Sequence, residues 1–169
     1  IKSGADIIVL DDAFQHRRVQ PGLNILLTSY SNLYINDFLL PVGNLREGII
    51  NALRADIIII TKTPKALLPV DKNRLIEQIA PWPHQKLYFS YYCYSNPINV
   101  FSSEEVQIEE QQILLLTGVA DSQSIKDYLI GKVEVVEHLK FKDHHPYTSK
   151  DIVKILEAWE EVKSSKKLI

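Results

Sequence analysis

The residues best suited to chemistry lie close together near the beginning of the chain. Asp11 and Asp12 are adjacent, Gln15 and His16 follow them, and two arginines come next. Beyond the carboxyl end of a strand, both carboxylates can reach one crevice, which is where open α/β folds bind ligands. This grouping predicts a site for a metal ion and phosphate oxygens. The alternative is a polar turn in which Asp11 caps the next element.

A strand must position these carboxylates. The four residues before Asp11 are apolar and mostly β-branched, so we expect a buried strand over Ala5–Leu10. An apolar strand that ends in Asp is typical of the Walker B element of P-loop nucleotide hydrolases and kinases. In that element the carboxylate holds Mg²⁺ against the nucleotide phosphates.

A second charged cluster, Arg46 and Glu47, follows Gly43 in a loop over residues 40–47. In such a loop a carboxylate can hold a metal ion while the neighbouring guanidinium faces phosphate. The alternative is an ion pair on the protein surface.

Two histidines, His144 and His145, follow Asp143 just before a predicted helix. Adjacent side chains on an extended chain point apart, which argues against both histidines binding one metal ion. A single imidazole with a carboxylate beside it is suited to proton transfer near neutral pH. The alternative is a polar segment that leads into the helix, with Asp143 as its cap and His144 exposed.

A glycine turn follows a predicted strand at Thr117–Asp121. One glycine at such a place most often makes a tight turn. The alternative is an anion site at the amino end of the following helix.

Composition narrows the function classes. The 169 residues carry a net charge of −2, which argues against a general nucleic-acid binder, because such a protein needs a basic surface. The single cysteine, Cys93, excludes a disulfide framework within the chain. Every apolar run is shorter than the roughly 18 residues that span a bilayer.

The order of predicted elements indicates an α/β fold, because strands alternate with helices over short connections. The last helix opens with a capping pair, Thr148 and Asp151. Its predicted apolar stripe comprises Ile152, Ile155, Leu156, Trp159 and Val162. Predicted strands after the first cover residues 23–27, 55–60, 86–94, 113–116 and 133–136, with the start of another at 166–169. Predicted helices cover 71–79 and 124–129, with a short one within 41–52.

We divide the chain into residues 1–85 as a first domain, 86–112 as a strand-like linker and 113–169 as a smaller α/β domain. The sequence has no Gly-x-x-x-x-Gly-Lys-Ser/Thr segment to cradle ATP phosphates. It also starts at Ile1 and contains no methionine. We therefore interpret it as a piece of a longer protein whose phosphate-binding loop lies upstream.

The chain contains, in this order, the segments Asp11–Arg18, Leu40–Glu47, Thr117–Asp121 and Phe141–His145. Together they resemble the tetraacyldisaccharide 4'-kinase family, the lipid A 4'-kinases of Gram-negative bacteria. The resemblance covers essentially the whole chain. Ala13 stands where the family more often has Gly, and Asn44 stands in a Gly-Pro-Leu-Arg-Glu-like stretch. Neither departure changes a charged position.

The resemblance implies a partial P-loop kinase core of Rossmann-like α/β architecture, followed by a second, smaller α/β domain. It implies transfer of the γ-phosphate of ATP, with Mg²⁺, to the 4'-hydroxyl of a tetraacyldisaccharide 1-phosphate, which gives lipid IVA. Without the upstream loop, residues 1–169 alone are expected to be inactive.

The resemblance also implies a role for each matched residue. Asp11, Asp12 and Glu47 would hold Mg²⁺, and the two aspartates would also position the nucleophile. Gln15, His16 and Arg46 would bind phosphate or the sugar head group. His144 would assist deprotonation of the attacking hydroxyl.

A lipid substrate implies peripheral contact with the cytoplasmic face of the bacterial inner membrane, mainly through the part upstream of this chain, and no nucleic-acid partner. Two alternatives remain. One is another P-loop nucleotide hydrolase such as a GTPase, because Thr61-Lys62-Thr63 is similar to a guanine-reading loop, although Thr63 replaces its aspartate. The other is a non-catalytic α/β binding module.

Overall fold

Two parallel sheets organise the chain. In the computed structural model, which describes residues 4–119 and 121–169, the chain separates into two units, Ile1–Tyr92 and Cys93–Ile169. Each unit contains a three-stranded parallel sheet with helices, so the protein is a mixed α/β structure, as the predicted alternation indicates. Ala120, part of the predicted glycine turn, and the first three residues of the predicted first domain lie outside the described residues.

The first unit is arranged around one apolar strand. Its elements in chain order are β1 (Ile25–Ser29), a 3-10 helix (Tyr34–Asn36), a second 3-10 helix (Ile49–Arg54), β2 (Ile57–Thr61), α1 (Pro69–Ile79) and β3 (Lys86–Phe89). β2 lies between β1 and β3, and both neighbours run parallel to it. A strand paired on both sides and covered on its faces is typically a continuous apolar run, which explains its isoleucines.

The core of this unit forms where β2 meets α1. Ile58 and Ile60 are fully buried, and Leu75 and Ile79, one turn apart on α1, belong to the same cluster. Burying one such side chain stabilises a fold by roughly 1.5–3 kcal/mol. α1 begins at Pro69, whose fixed φ suits a first helical turn, and ends where Ala80 adopts a left-handed conformation.

The buried strand predicted over Ala5–Leu10 is wrong for this structure. Residues 5–10 form no strand, and Val9 is 87% exposed. β-Branched residues favour a strand only where a neighbouring strand completes the hydrogen-bonded ladder and covers one face. Within the described residues, β1 pairs with β2 alone, and no strand pairs with Ile7–Leu10. This segment therefore has the residue types of a strand but no neighbouring strand to pair with among the described residues.

The second unit repeats the scheme with an apolar strand in the middle. Its elements are β4 (Gln112–Thr117), α2 (Gln123–Leu129), β5 (Glu134–Lys140), α3 (Ser149–Glu161) and β6 (Lys167–Leu168). β4 lies between β5 and β6, and its Leu114 is fully buried. The strand start predicted at 166–169 is confirmed, because Lys167 and Leu168 pair with the beginning of β4.

The buried face of α3 is narrower than its apolar pattern predicts. Ile152 and Leu156 are exposed, which contradicts their place in the predicted stripe. The side chains that do pack inward or lie buried are Ile155, Ala158, Trp159 and Val162. They are spaced at i, i+3, i+4 and i+7, so the helix turns one side of its apolar surface away from the small sheet.

The predicted linker of residues 86–112 begins inside the first sheet. Lys86–Phe89 form β3 and pair with β2, and the two units divide three residues later, between Tyr92 and Cys93. The sequence alone does not reveal this pairing, because the partner strand is distant along the chain. Within the described residues, no helix combines the length and the apolar character needed to cross a membrane.

Candidate functional site

The two charged clusters of the first unit meet in space although 34 positions separate them. The Nη1 atom of Arg46 donates to Oδ2 of Asp12 at 3.0 Å. Both side chains are exposed, so this ion pair by itself contributes little to stability. Its importance is positional, because it places a guanidinium beside the paired carboxylates.

Glu47 lies between two further guanidinium groups. Its Oε2 atom is 3.4 Å from Nη2 of Arg17, and its Oε1 atom accepts a hydrogen bond from Nη2 of Arg54. The same Arg17 nitrogen donates to Oδ1 of Asn51 at 2.9 Å. Only 18% of the Glu47 side chain is exposed, and a carboxylate this far from water requires such partners.

A loop anchored by Asp37 positions Arg46 and Glu47. The Asp37 carboxylate accepts the backbone N–H of Phe38 at 2.8 Å and that of Asn44 at 3.1 Å, and these bonds, Phe38 first, lower the pKa of Asp37. A Cβ atom at Gly43 would collide with Asp37 and with the backbone of Phe38. Glycine is therefore required for the close approach that shapes the loop.

The segment after the predicted strand turns sharply. Asp12 has a φ of 47°, in the left-handed region, and its N–H donates to Oδ1 of Asp11 at 3.0 Å. The side chains of Gln15 and His16 make no hydrogen bond within the described part of the chain, although both residues are exposed next to the cluster in sequence. The structure thus joins Asp12 and Arg46 directly, but it does not tie Gln15 or His16 to them.

The magnesium site predicted at Asp11, Asp12 and Glu47 stays a prediction. In the described part of the chain, no three His, Cys, Asp or Glu side chains lie close enough to hold a metal ion together. Asp11 and Asp12 offer the carboxylate oxygens that Mg²⁺ prefers. Glu47 instead directs both of its oxygens at guanidinium groups.

The two histidines of the second unit diverge, as the sequence predicts. Nε2 of His145 lies 3.2 Å from Oδ2 of Asp151, and its ring stacks on Phe141, so only 25% of the side chain is exposed. The side chain of His144 is 96% exposed, on a residue with a φ of 53°. One imidazole is part of the packing and its neighbour is open to solvent.

The predicted capping pair of α3 is confirmed. The N–H and the hydroxyl of Thr148 both donate to Oδ2 of Asp151, at 2.8 and 2.7 Å. These bonds, led by the hydroxyl and reinforced by His145, lower the pKa of Asp151 to about 2. Asp143, the alternative candidate, is not the helix cap.

The glycine turn after β4 is explained by close packing. A Cβ atom at Gly118 would lie 3.0 Å from the Tyr147 hydroxyl. Just before it, Oγ1 of the buried Thr117 lies 2.8 Å from Nε2 of His138. Burial, followed by the charges of Lys126 and Lys140, lowers the pKa of His138. The approach of Tyr147 therefore favours a residue without a side chain at position 118.

Thr63 stands where a GTPase carries its guanine-reading aspartate. Thr63 is buried, and its hydroxyl donates to the carbonyl oxygen of Ser90 at 3.1 Å. This contact argues against the GTPase alternative.

Sequence reasoning missed the partners of Glu47. Arg54 follows it at i+7, and Asn51, which accepts from Arg17, follows it at i+4, a spacing that could have suggested a shared helical face. Arg17 stands in a run of charged residues with no local sign of its partner. The type of a single arginine does not reveal which distant carboxylate it meets.

Comparison with known proteins identifies relatives over the whole chain. The sequence model of the family described as tetraacyldisaccharide-1-P 4'-kinase matches residues 1–169. Tetraacyldisaccharide 4'-kinases from Bacteroides thetaiotaomicron and Parabacteroides distasonis are 39% and 41% identical, each over 97% of this chain and 46% of the relative. The kinase of that name from Phocaeicola vulgatus is 39% identical over 100% of this chain and 48% of its own length. The chain thus spans about half the length of these curated relatives, and no solved structure gives a significant match.

The loop geometry predicts that Gly43→Ala is destabilising. Its Cβ atom would push against Asp37 and the Phe38 backbone, and overpacking of this kind costs about 1–3 kcal/mol. Gly22→Ala is the control, because a Cβ atom there meets nothing within 4 Å. Urea unfolding should show a lower free energy of unfolding for Gly43→Ala only. Equal effects of both substitutions would contradict the proposed close approach.

The capping pair predicts an acid-sensitive helix. The pKa of Asp151 is lowered from 3.8 to about 2 in the folded protein, so its contribution to stability is present above pH 4 and is lost as the pH falls toward 2. The free energy of unfolding should therefore differ between wild type and Asp151→Asn at pH 6, and the difference should shrink toward pH 2. Glu157→Gln, an exposed change on the same helix, should show no such trend. A difference that is independent of pH would refute this account.

Proposed function

Because this chain belongs to the tetraacyldisaccharide-1-P 4'-kinase family, we propose that the protein containing it transfers the γ-phosphate of ATP to the 4'-hydroxyl of a tetraacyldisaccharide 1-phosphate. The product would be lipid IVA. The match over residues 1–169 and relatives of that name support the proposal. The structural observation that carries it is the meeting of Asp12 with Arg46, which brings the two charged clusters into one site.

The arrangement suits phosphoryl transfer, which depends almost entirely on positioning and on electrostatic stabilisation. In the proposal, Arg46 faces a phosphate of ATP or of the lipid, as a planar guanidinium can donate two parallel hydrogen bonds to phosphate oxygens. Gln15 and His16 contribute further contacts to phosphate or the sugar head group. Their exposure leaves their donors available to a ligand.

Mg²⁺ is part of the proposal on the basis of donor chemistry. Asp11 and Asp12 supply carboxylate oxygens, and the bound ion would neutralise charge on the phosphates. Glu47 would bind the ion only if one of its oxygens left its contact with Arg17 or Arg54. Asp11 and Asp12 also act on the nucleophile in this proposal, where a carboxylate orients the attacking hydroxyl.

We assign proton acceptance from the 4'-hydroxyl to His144. Its exposed imidazole has Oδ2 of Asp143 3.9 Å from Nε2, so a carboxylate stands near the group that would gain a positive charge. An imidazole titrates near neutral pH and suits general-base assistance. His145 is unsuited to this role, because its ring is stacked on Phe141 and faces Asp151.

The wider architecture follows the same proposal. Residues up to 85 would belong to a Rossmann-like P-loop kinase core completed by sequence outside this chain, and residues 113–169 to a smaller α/β domain. An acylated disaccharide is a membrane lipid, so the protein would act peripherally at the cytoplasmic face of the inner membrane. Nucleic acid has no part in this reaction, in agreement with the net charge of −2.

Removing the carboxylate of Asp12 or that of Glu47 should abolish most of the kinase activity. In the full-length protein, Asp12→Ala and Glu47→Ala are each expected to lower kcat by at least about 100-fold, the effect of losing one preorganised charged group. Glu77→Ala, an exposed carboxylate change on α1, is the matched control and should leave kcat unaltered. Turnover is measured with ATP and the tetraacyldisaccharide 1-phosphate. Normal turnover of either site variant would remove that residue from the mechanism.

Alanine substitutions at His144 and His145 should have different effects on kcat. His144→Ala is expected to lower kcat by roughly 10²- to 10⁴-fold, the usual range for general-base assistance, with the KM for ATP little changed. His145→Ala should lower the thermal midpoint, because the ring packs in the unit, while kcat at low temperature changes little. Equal losses of kcat would indicate a structural pair. A loss confined to His145→Ala would place the base one residue later.

A further inference from the structure

Arg54 contacts two chain segments of the candidate site at once. Its Nη2 atom donates to the carbonyl oxygen of Phe14 at 2.9 Å and to Oε1 of Glu47. Its Cζ atom lies over the Phe14 ring, 4.8 Å from the ring centroid. The guanidinium group is therefore held by a carbonyl, a carboxylate and an aromatic face, all within the first unit.

Burial distinguishes this contact from the other ion pairs of the site. The side chain of Arg54 is 32% exposed and its partner Glu47 is 18% exposed, whereas Arg17 is 64% exposed. Exposed pairs contribute little because water and salt screen them. When a shielded guanidinium loses one of its partners, a donor is left unsatisfied away from water. Removing that partner therefore costs more free energy than it does at an exposed pair.

Phe14 lies two residues after Asp12, and Glu47 directly follows Arg46. Any group that ties Phe14 to Glu47 therefore controls the distance between the aspartate pair and the arginine loop. Arg17 makes a second tie in the opposite direction, from the aspartate segment to Glu47 and Asn51. That tie is more exposed to water, and exposed pairs contribute little, so Arg54 is the stronger of the two.

We propose that Arg54 is a positioning residue of the kinase site, which holds the Asp11–Asp12 segment in register with Glu47 without touching substrate. This inference rests on the proposed function for its effect on turnover. Lysine cannot replace it, because an ammonium cannot lie flat on the Phe14 ring while it donates to the carbonyl and the carboxylate, as the planar guanidinium does. A guanidinium at this place is thus required by geometry as well as by charge.

The test uses the full-length protein with Arg54→Ala, Arg54→Lys and the control Arg74→Ala. Arg74 lies in α1, and among the described residues it forms no ion pair. We expect both Arg54 variants to lower kcat, by about 10²-fold for alanine, since small misplacements of catalytic groups have effects of that size. The KM for ATP should change less than kcat. Added guanidinium ion should partly restore kcat in Arg54→Ala and have no such effect in Arg74→Ala.

Hydrogen exchange provides a readout that does not depend on the reaction. Amide exchange across residues 11–18 should accelerate in both Arg54 variants and stay at the wild-type rate in Arg74→Ala. Unchanged exchange in that segment, or full kcat in Arg54→Lys, would overturn the inference. If wild type lacks 4'-kinase activity, the proposed function fails, while the exchange measurement still decides whether Arg54 holds the segment. Should Arg54→Ala fail to fold, the same two measurements on Arg54→Lys decide between these outcomes.

Discussion

A largely buried carboxylate needs its cationic partners, and in this protein that requirement joins the parts of the candidate site. Glu47 has little contact with water and directs one oxygen at Arg54 and the other at Arg17. Leaving such a carboxylate unpaired would cost several kcal/mol. Since the two arginines come from different segments, satisfying Glu47 also brings the aspartate segment to the arginine loop. Stability and site geometry are therefore consequences of the same contacts.

The parallel sheet of the first unit makes this convergence feasible. Parallel strands require a long crossover, and the connection from β1 to β2 carries the loop anchored on Asp37 as well as the 3-10 helix that ends at Arg54. The buried isoleucines of β2 fix the end of that connection. A glycine at position 43 lets the loop close tightly enough to present Arg46 and Glu47 side by side. Core packing thus sets the position of charged groups that are themselves mostly at the surface.

In the second unit, the adjacent side chains of His144 and His145 lie in different environments. Thr148 and His145 both interact with Oδ2 of Asp151, so one carboxylate caps α3 and anchors one imidazole. The neighbouring His144 is left exposed in a left-handed conformation. A helix cap therefore determines which histidine is available for proton transfer in the proposed reaction.

The sequence by itself determined what depends on neighbouring residues. The isoleucine run of β2, the capping pair of α3, the divergence of His144 and His145 and the family resemblance are all local patterns of residue type and spacing. Tertiary structure alone decided the rest. The apolar segment before Asp11 is exposed because no described strand pairs with it. Lys86–Phe89 pair with β2 in the first sheet. Arg17 and Arg54 form ion pairs with Glu47. Strand pairing and ion pairing between distant segments depend on where loops place the chain, and residue type carries no record of that placement.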